Sequence, residues 1–232
     1  KALPRSAHPV YRRQRSPDPL LGEKFDPGST VWENDAVRMW HLGDDVGIVS
    51  FKSKAHTIGE DVLDGLLRAL DEAERNCAGL VIWQTKEPFS LGANLAGIAP
   101  AIQAKQWGAI EAVVAKFQDT AMRLRTSLIP TVCAVRGMAL GGSCEFILHA
   151  DRTVAALESY IGLVEVGVGL LPAGGGCKEF AARAAEEVRR GAAGGQLDQF
   201  PFIRHYFQTI AMATVAKSAL EAKELGYLRP AD

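Results

Sequence analysis

The chain has 232 residues, 47% of them hydrophobic, and a formal net charge of -1. That is enough apolar material for one large core and excludes a disordered chain. The near-neutral charge leaves no electrostatic footprint for nucleic acid, and no apolar run reaches the roughly 18 to 20 residues of a membrane-spanning helix.

The opening KALPRSAHPVYRRQRSPDP carries Lys1, Arg5, Arg12, Arg13 and Arg15 before the first acid, Asp18, and Pro4, Pro9, Pro17 and Pro19 interrupt any helix. Residues 1–34 therefore read as an extended arm or linker, 35–195 as the core, and 196–232 as a C-terminal helical segment. There is no hydrophobic secretion signal, and Cys77, Cys133, Cys144 and Cys177 lack CxxC spacing. Free thiols in a reducing compartment, and hence a cytoplasmic protein, are the expectation.

VGIVSF (46–51) and GLVIWQ (79–84) read as strands. Between them Thr57 and Glu60 have capping-box spacing, followed by Leu63, Leu66, Leu67 and Leu70 at i, i+3, i+4, i+7, which predicts a helix over about 60–75. A loop with Pro88 and Gly92 leads to an expected helix from Asn94, and a longer helix follows over about 106–126. TVCAV (131–135) and RTVAA (152–156) read as strands, and 174–190 and 203–217 as helices. SALEAKELG (218–226) has a second capping box at Ser218 and Glu221. The fold class is α/β.

Two isolated acids stand out. SCEFILHA (143–150) is apolar on nearly every side, so its helix should be buried all round, with Glu145 in the first turn. Glu165 is the sole charge in YIGLVEVGVGLLP (160–172). Taken singly, Glu145 reads equally as a helix-dipole and N–H capping acid, and Glu165 as a salt-bridged or edge-exposed one. Taken together, two carboxyls in apolar, glycine-rich segments suit general acid and base work, because burial and mutual repulsion raise their pKa values. FSLGAN (89–94) and GMALGG (137–142) each precede an expected helix, so their free N–H groups would form an oxyanion hole if they converge. Each loop by itself is an ordinary glycine turn.

FSLGAN, GMALGGSCE and IGLVEVGVGLLPAGGG, in that order, resemble the crotonase superfamily and most closely its enoyl-CoA hydratases, over about residues 35–190. The resemblance implies a spiral of repeated ββα units with C-terminal helices that drive trimer or hexamer packing, and an acyl-CoA thioester as substrate. It puts the oxyanion donors at the N–H groups of Ala93 and Gly142, the catalytic acids at Glu145 and Glu165, and the substrate-binding loops around Ser90, Gly92 and Gly141. Coenzyme A would enter as part of the substrate, with no metal and no other cofactor. The sequence departs from the family's pattern at Asn94, where Asp is usual, and at Ala173, where Gly is common. The region after Gly194 is short for the family, which suggests one part of a larger enzyme that also carries a 3-hydroxyacyl-CoA dehydrogenase. An enoyl-CoA isomerase working chiefly through Glu165 and a non-catalytic subunit are the alternatives. Ser143 lacks a nucleophile elbow, GVGLLP lacks the third glycine of a dinucleotide loop, and the five histidines are dispersed.

Overall fold

The nearly continuous apolar run VGIVSF fits a strand buried on both faces, and in the computed structural model, which describes residues 27–192 and 197–232, this run is the third strand of a six-stranded sheet. β1 (Ser29–Glu33), β2 (Val37–His41) and β3 (Val46–Phe51) form an antiparallel meander. β4 (Gly79–Trp83), β5 (Thr131–Val135) and β7 (Arg152–Ala155) then extend the sheet in parallel, in the order β1-β2-β3-β4-β5-β7. Parallel neighbours need long crossovers. These are α1 (Glu60–Asn76) between β3 and β4, α2 (Ile98–Gln103) with α3 (Trp107–Arg125) between β4 and β5, and β6 (Met138–Leu140) with α4 (Gly142–His149) between β5 and β7.

Beyond β7 come β8 (Tyr160–Gly162), a 3-10 turn Glu165–Val168, α5 (Gly176–Gly191), α6 (Phe200–Ala211), β9 (Val215–Ala216) and α7 (Ala219–Glu224). β6, β8 and β9 make a second, three-stranded sheet. The main core lies between the large sheet and α1, α3, α4 and α5, with Met39, Val49, Leu66, Leu80, Ile82, Leu124, Cys133 and Phe146 fully or almost fully buried. The other sheet face carries a smaller cluster of Trp40, Ile48 and Trp83.

Several expectations are revised. Residues 29–33 are a sheet strand rather than part of an arm; residues 1–26 lie outside the described residues, as do 193–196 at the expected C-terminal boundary. The Thr57 capping box does not form. Ile58 is held extended by its bridge to Ala93, so α1 starts only after Gly59, and the Thr57 hydroxyl instead donates to the Lys54 carbonyl at 3.1 Å. The buried face of α1 runs through Val62, Leu63, Leu66, Ala69, Leu70 and Ala73, with Leu67 only half-buried. The helix expected from Asn94 begins at Ile98, and Asn94 instead caps a turn by accepting from the Ala96 N–H at 3.1 Å. Cys133 and Cys144 are buried, whereas Cys177 is exposed; all four thiols are free. The Ser218 cap forms as expected, its Oγ accepting from the Glu221 N–H at 3.1 Å. No helix among the described residues is long and apolar enough to cross a membrane.

Candidate active site

The loop after β4 is fixed to the rest of the fold by its main chain. Ser90 N–H donates to Met138 and Ser90 C=O accepts from Leu140, which lays the loop along β6. Further on, Ile58 N–H donates to Gly92 C=O and Asn94 N–H to Ile58 C=O, both at 2.8 Å. This bridge uses the polar groups on either side of Ala93 and leaves the Ala93 N–H, which no acceptor among the described residues takes. Gly142, the first residue of α4, has an N–H with no intrahelical partner, and it too is unclaimed among the described residues.

The two donors are neighbours. A Cβ on Gly142 would lie 3.3 Å from the Ala93 nitrogen, and one on Gly92 would lie 3.0 Å from the Gly142 nitrogen. Only glycine permits that approach at position 92, where φ is +88° and the Leu140 carbonyl is closer still.

α4 is buried at all eight of its residues, as its apolar sequence implies. Glu145, 3% exposed, caps a helix other than its own: its Oε1 accepts from the Gly176 N–H, at the start of α5, at 2.9 Å. Burial raises its pKa to about 7, the Gly176 N–H opposes the rise, and the nearby Glu165 carboxylate adds to it. Glu165 opens the 3-10 turn after β8. Its Oε2 is buried with no hydrogen-bond partner among the described residues, and burial raises its pKa as well.

Ala93, Gly142, Glu145 and Glu165 all line one cavity of about 760 Å³. Ser90, Gly92 and Gly141 are not among its lining residues. Ser90 is wholly buried, its Oγ accepting from the Gly92 N–H at 3.1 Å, so these three shape the wall from behind. The rest of the wall is mostly apolar. Ile110, Val113, Val114 and Phe117 form one stripe on α3, opposite Ile98 and Ile102 of α2. That i, i+3, i+4, i+7 spacing was visible in the sequence as helix amphipathicity, but nothing in it said that the apolar face would line a cavity. Phe117 also stacks on Phe146, with ring centroids 5.0 Å apart, and touches both Gly142 and Gly174, wedged between the start of α4 and the loop that caps Glu145.

Residues 44–189 match the family model described as enoyl-CoA hydratase/isomerase. The chain belongs to this family.

A probable 3-hydroxyacyl-CoA dehydrogenase of Bacillus subtilis (strain 168) is 42% identical over 202 residues, 87% of this chain and 25% of that protein. A putative fatty acid oxidation complex trifunctional enzyme of Rickettsia felis is 31% identical over 154 residues, 66% of this chain and 21% of that protein. The family member described here thus spans about a quarter or less of the length of these relatives. Among solved structures, an enoyl-CoA hydratase from Polaromonas sp. JS666 superposes with a TM-score of 0.68 at 21% identity, covering 83% of this chain and 69% of that one. An enoyl-CoA hydratase from Bacillus anthracis gives 0.65 at 22%, covering 83% and 68%. These superpositions bear out the crotonase-like α/β fold.

Proposed function

We propose that this chain adds water across the 2,3 double bond of a trans-2-enoyl-CoA. The observation that carries the proposal is the convergence, on one apolar-walled cavity, of two unclaimed N–H groups and two carboxyls with raised pKa values. The thioester oxygen gains negative charge as water attacks the β-carbon. The Ala93 and Gly142 N–H groups stabilise that charge, each such donor being worth about 3 to 4 kcal/mol in comparable sites. Glu145, half-ionised near neutral pH, takes a proton from the attacking water. Glu165, whose pKa burial raises, gives its proton to the α-carbon. Exchange of one proton between the two carboxyls restores the starting state, and coenzyme A takes part only as a piece of the substrate.

The product, a 3-hydroxyacyl-CoA, is what a 3-hydroxyacyl-CoA dehydrogenase oxidises. Together with the partial coverage of the Bacillus subtilis relative, this supports a role as the hydratase portion of a larger β-oxidation polypeptide. A second reading, double-bond isomerisation through Glu165, draws support from its unpartnered Oε2, since one Glu145 oxygen is already engaged by Gly176.

The test is loss of enoyl-thioester absorbance with crotonyl-CoA, and its gain with a 3-enoyl-CoA, for the parent chain, Glu145→Gln and Glu165→Gln. Hydration that falls about 10²–10⁴-fold in both variants supports the hydratase. Isomerisation that survives Glu145→Gln but not Glu165→Gln supports the second reading. A folded parent chain inactive in both assays refutes both.

A further inference from the structure

Behind the cavity lies a cluster of titratable side chains that the proposed reaction does not use: His149 of α4, Lys178 and Glu179 of α5, and Arg125 of α3. His149 follows Glu145 by one helical turn and its side chain is fully buried. Its Nδ1 lies 2.7 Å from the Glu145 carbonyl oxygen, which can only accept, so Nδ1 carries the proton. Its Nε2 lies 2.9 Å from the Lys178 ammonium, which can only donate, so Nε2 presents its lone pair. Made together, the two contacts require the neutral ring, and the Glu179 carboxylate, 3.6 Å from Nε2, lies beyond hydrogen-bond reach. Burial, the largest influence, holds the His149 pKa down at about 4, and the nearby Lys178 charge acts in the same direction.

The ring also lies against Gly175. A Cβ there would come within 2.5 Å of the imidazole, and Gly175 has φ +126°. Arg125 donates to Glu179 and, at 3.1 Å, to the Leu148 carbonyl, fastening the first turn of α5 to the end of α4. The contacts close a circuit. The Glu145 carbonyl holds His149, His149 meets Gly175 and Lys178, and the same turn of α5 returns the Gly176 N–H to the Glu145 carboxyl.

We infer that His149 is a positioning residue for Glu145: by bonding the Glu145 main chain and supporting the Gly175 turn, it fixes where the Gly176 N–H meets the Glu145 carboxylate. The inference rests on Glu145 acting as the base of the proposed reaction. The titratable groups facing Glu145 are Glu165 from the 3-10 turn, Cys144 from α4 and Cys177 from α5; those facing His149 are Lys178, Glu179 and Arg125.

The experiment is a carboxyl carbon-13 NMR pH titration of glutamate-labelled protein, with the Glu145 resonance assigned by its loss in Glu145→Gln. His149→Phe keeps a ring against Gly175 but removes both hydrogen bonds. Its Glu145 midpoint should rise by about one pH unit, the size expected when a charge-assisted hydrogen bond is weakened. Hydration kcat should fall about tenfold with little change in KM, and His149→Gln, which can again donate to the carbonyl and accept from Lys178, should restore much of both. An unmoved midpoint in folded His149→Phe overturns the inference. If His149→Phe does not fold, Lys178→Met, which alters an exposed side chain, should move the midpoint the same way by less, and no movement overturns the inference there too. Because the titration needs no turnover, it reads His149 even if the parent chain proves inactive as a hydratase.

Discussion

Replacing Glu145 with Gln should stabilise the protein at alkaline pH while lowering the proposed hydration activity. Glu145 is buried and its pKa stands at about 7 in the fold against an ordinary 4.5. The folded state therefore binds this proton more tightly than the unfolded one. The contribution of this one group to stability is greatest below pH 4.5 and is lost as pH rises through 7. The rise from 4.5 to about 7 corresponds to a full penalty of about 3 to 4 kcal/mol, of which about 2 to 3 kcal/mol develops between pH 5 and pH 8. Gln retains an oxygen for the Gly176 N–H and never ionises. Titrating groups that do not interact with Glu145 are common to both proteins and cancel in the comparison, and the repulsion from Glu165, which adds to the Glu145 rise, is removed by the same substitution. Relative to the parent, Glu145→Gln should therefore gain about 5 to 10 °C in Tm on going from pH 5 to pH 8, at roughly 2 to 4 °C per kcal/mol for a chain of this size. Calorimetry at the two pH values checks this. The same pH dependence in both proteins would refute the claim that Glu145 holds its proton to near neutrality.

Ala93→Pro removes the N–H while leaving the carbonyl and amide groups that bridge residues 92–94 to Ile58, so kcat for hydration should fall about 10²–10³-fold in steady-state assays. Val114→Trp would fill the cavity from α3, and kcat/KM for a long-chain enoyl-CoA should fall at least about tenfold while crotonyl-CoA changes by less than about threefold.

The central strands and long helices were legible because their signals are local. VGIVSF, GLVIWQ and TVCAV are unbroken apolar runs, and the α3 boundaries lie within about a residue of expectation. Strands β1, β2, β6, β8 and β9 were missed. β9 has two residues and β6 and β8 three each, too few to show a period, and β1 is exposed at four of its five positions. The expected helix over 203–217 begins earlier and stops at Ala211, because Val215 and Ala216 pair with β8. At the site, the two acids were readable as charges in apolar surroundings. Glu145 does serve as an N–H cap, one of the two roles its sequence left open, but for α5 rather than α4. That partner lies 31 residues away, beyond the reach of any local pattern. His149 was passed over among the five dispersed histidines, since its contacts with Lys178 and Gly175 are equally remote in sequence.

The bridge that pins Ile58 to Gly92 and Asn94 leaves its mark on how this protein responds to mutation. Both donors proposed for the substrate oxygen belong to the main chain, and a residue-by-residue alanine scan would pass over them. Position 93 is already alanine, and Gly142→Ala would register as a collision with the Phe117 ring. Side-chain truncation would report the two carboxyls and stay silent about their backbone partners. Amide-to-ester exchange at residues 93 and 142, which deletes a single N–H and keeps every side chain, is the perturbation to which this half of the machinery would answer.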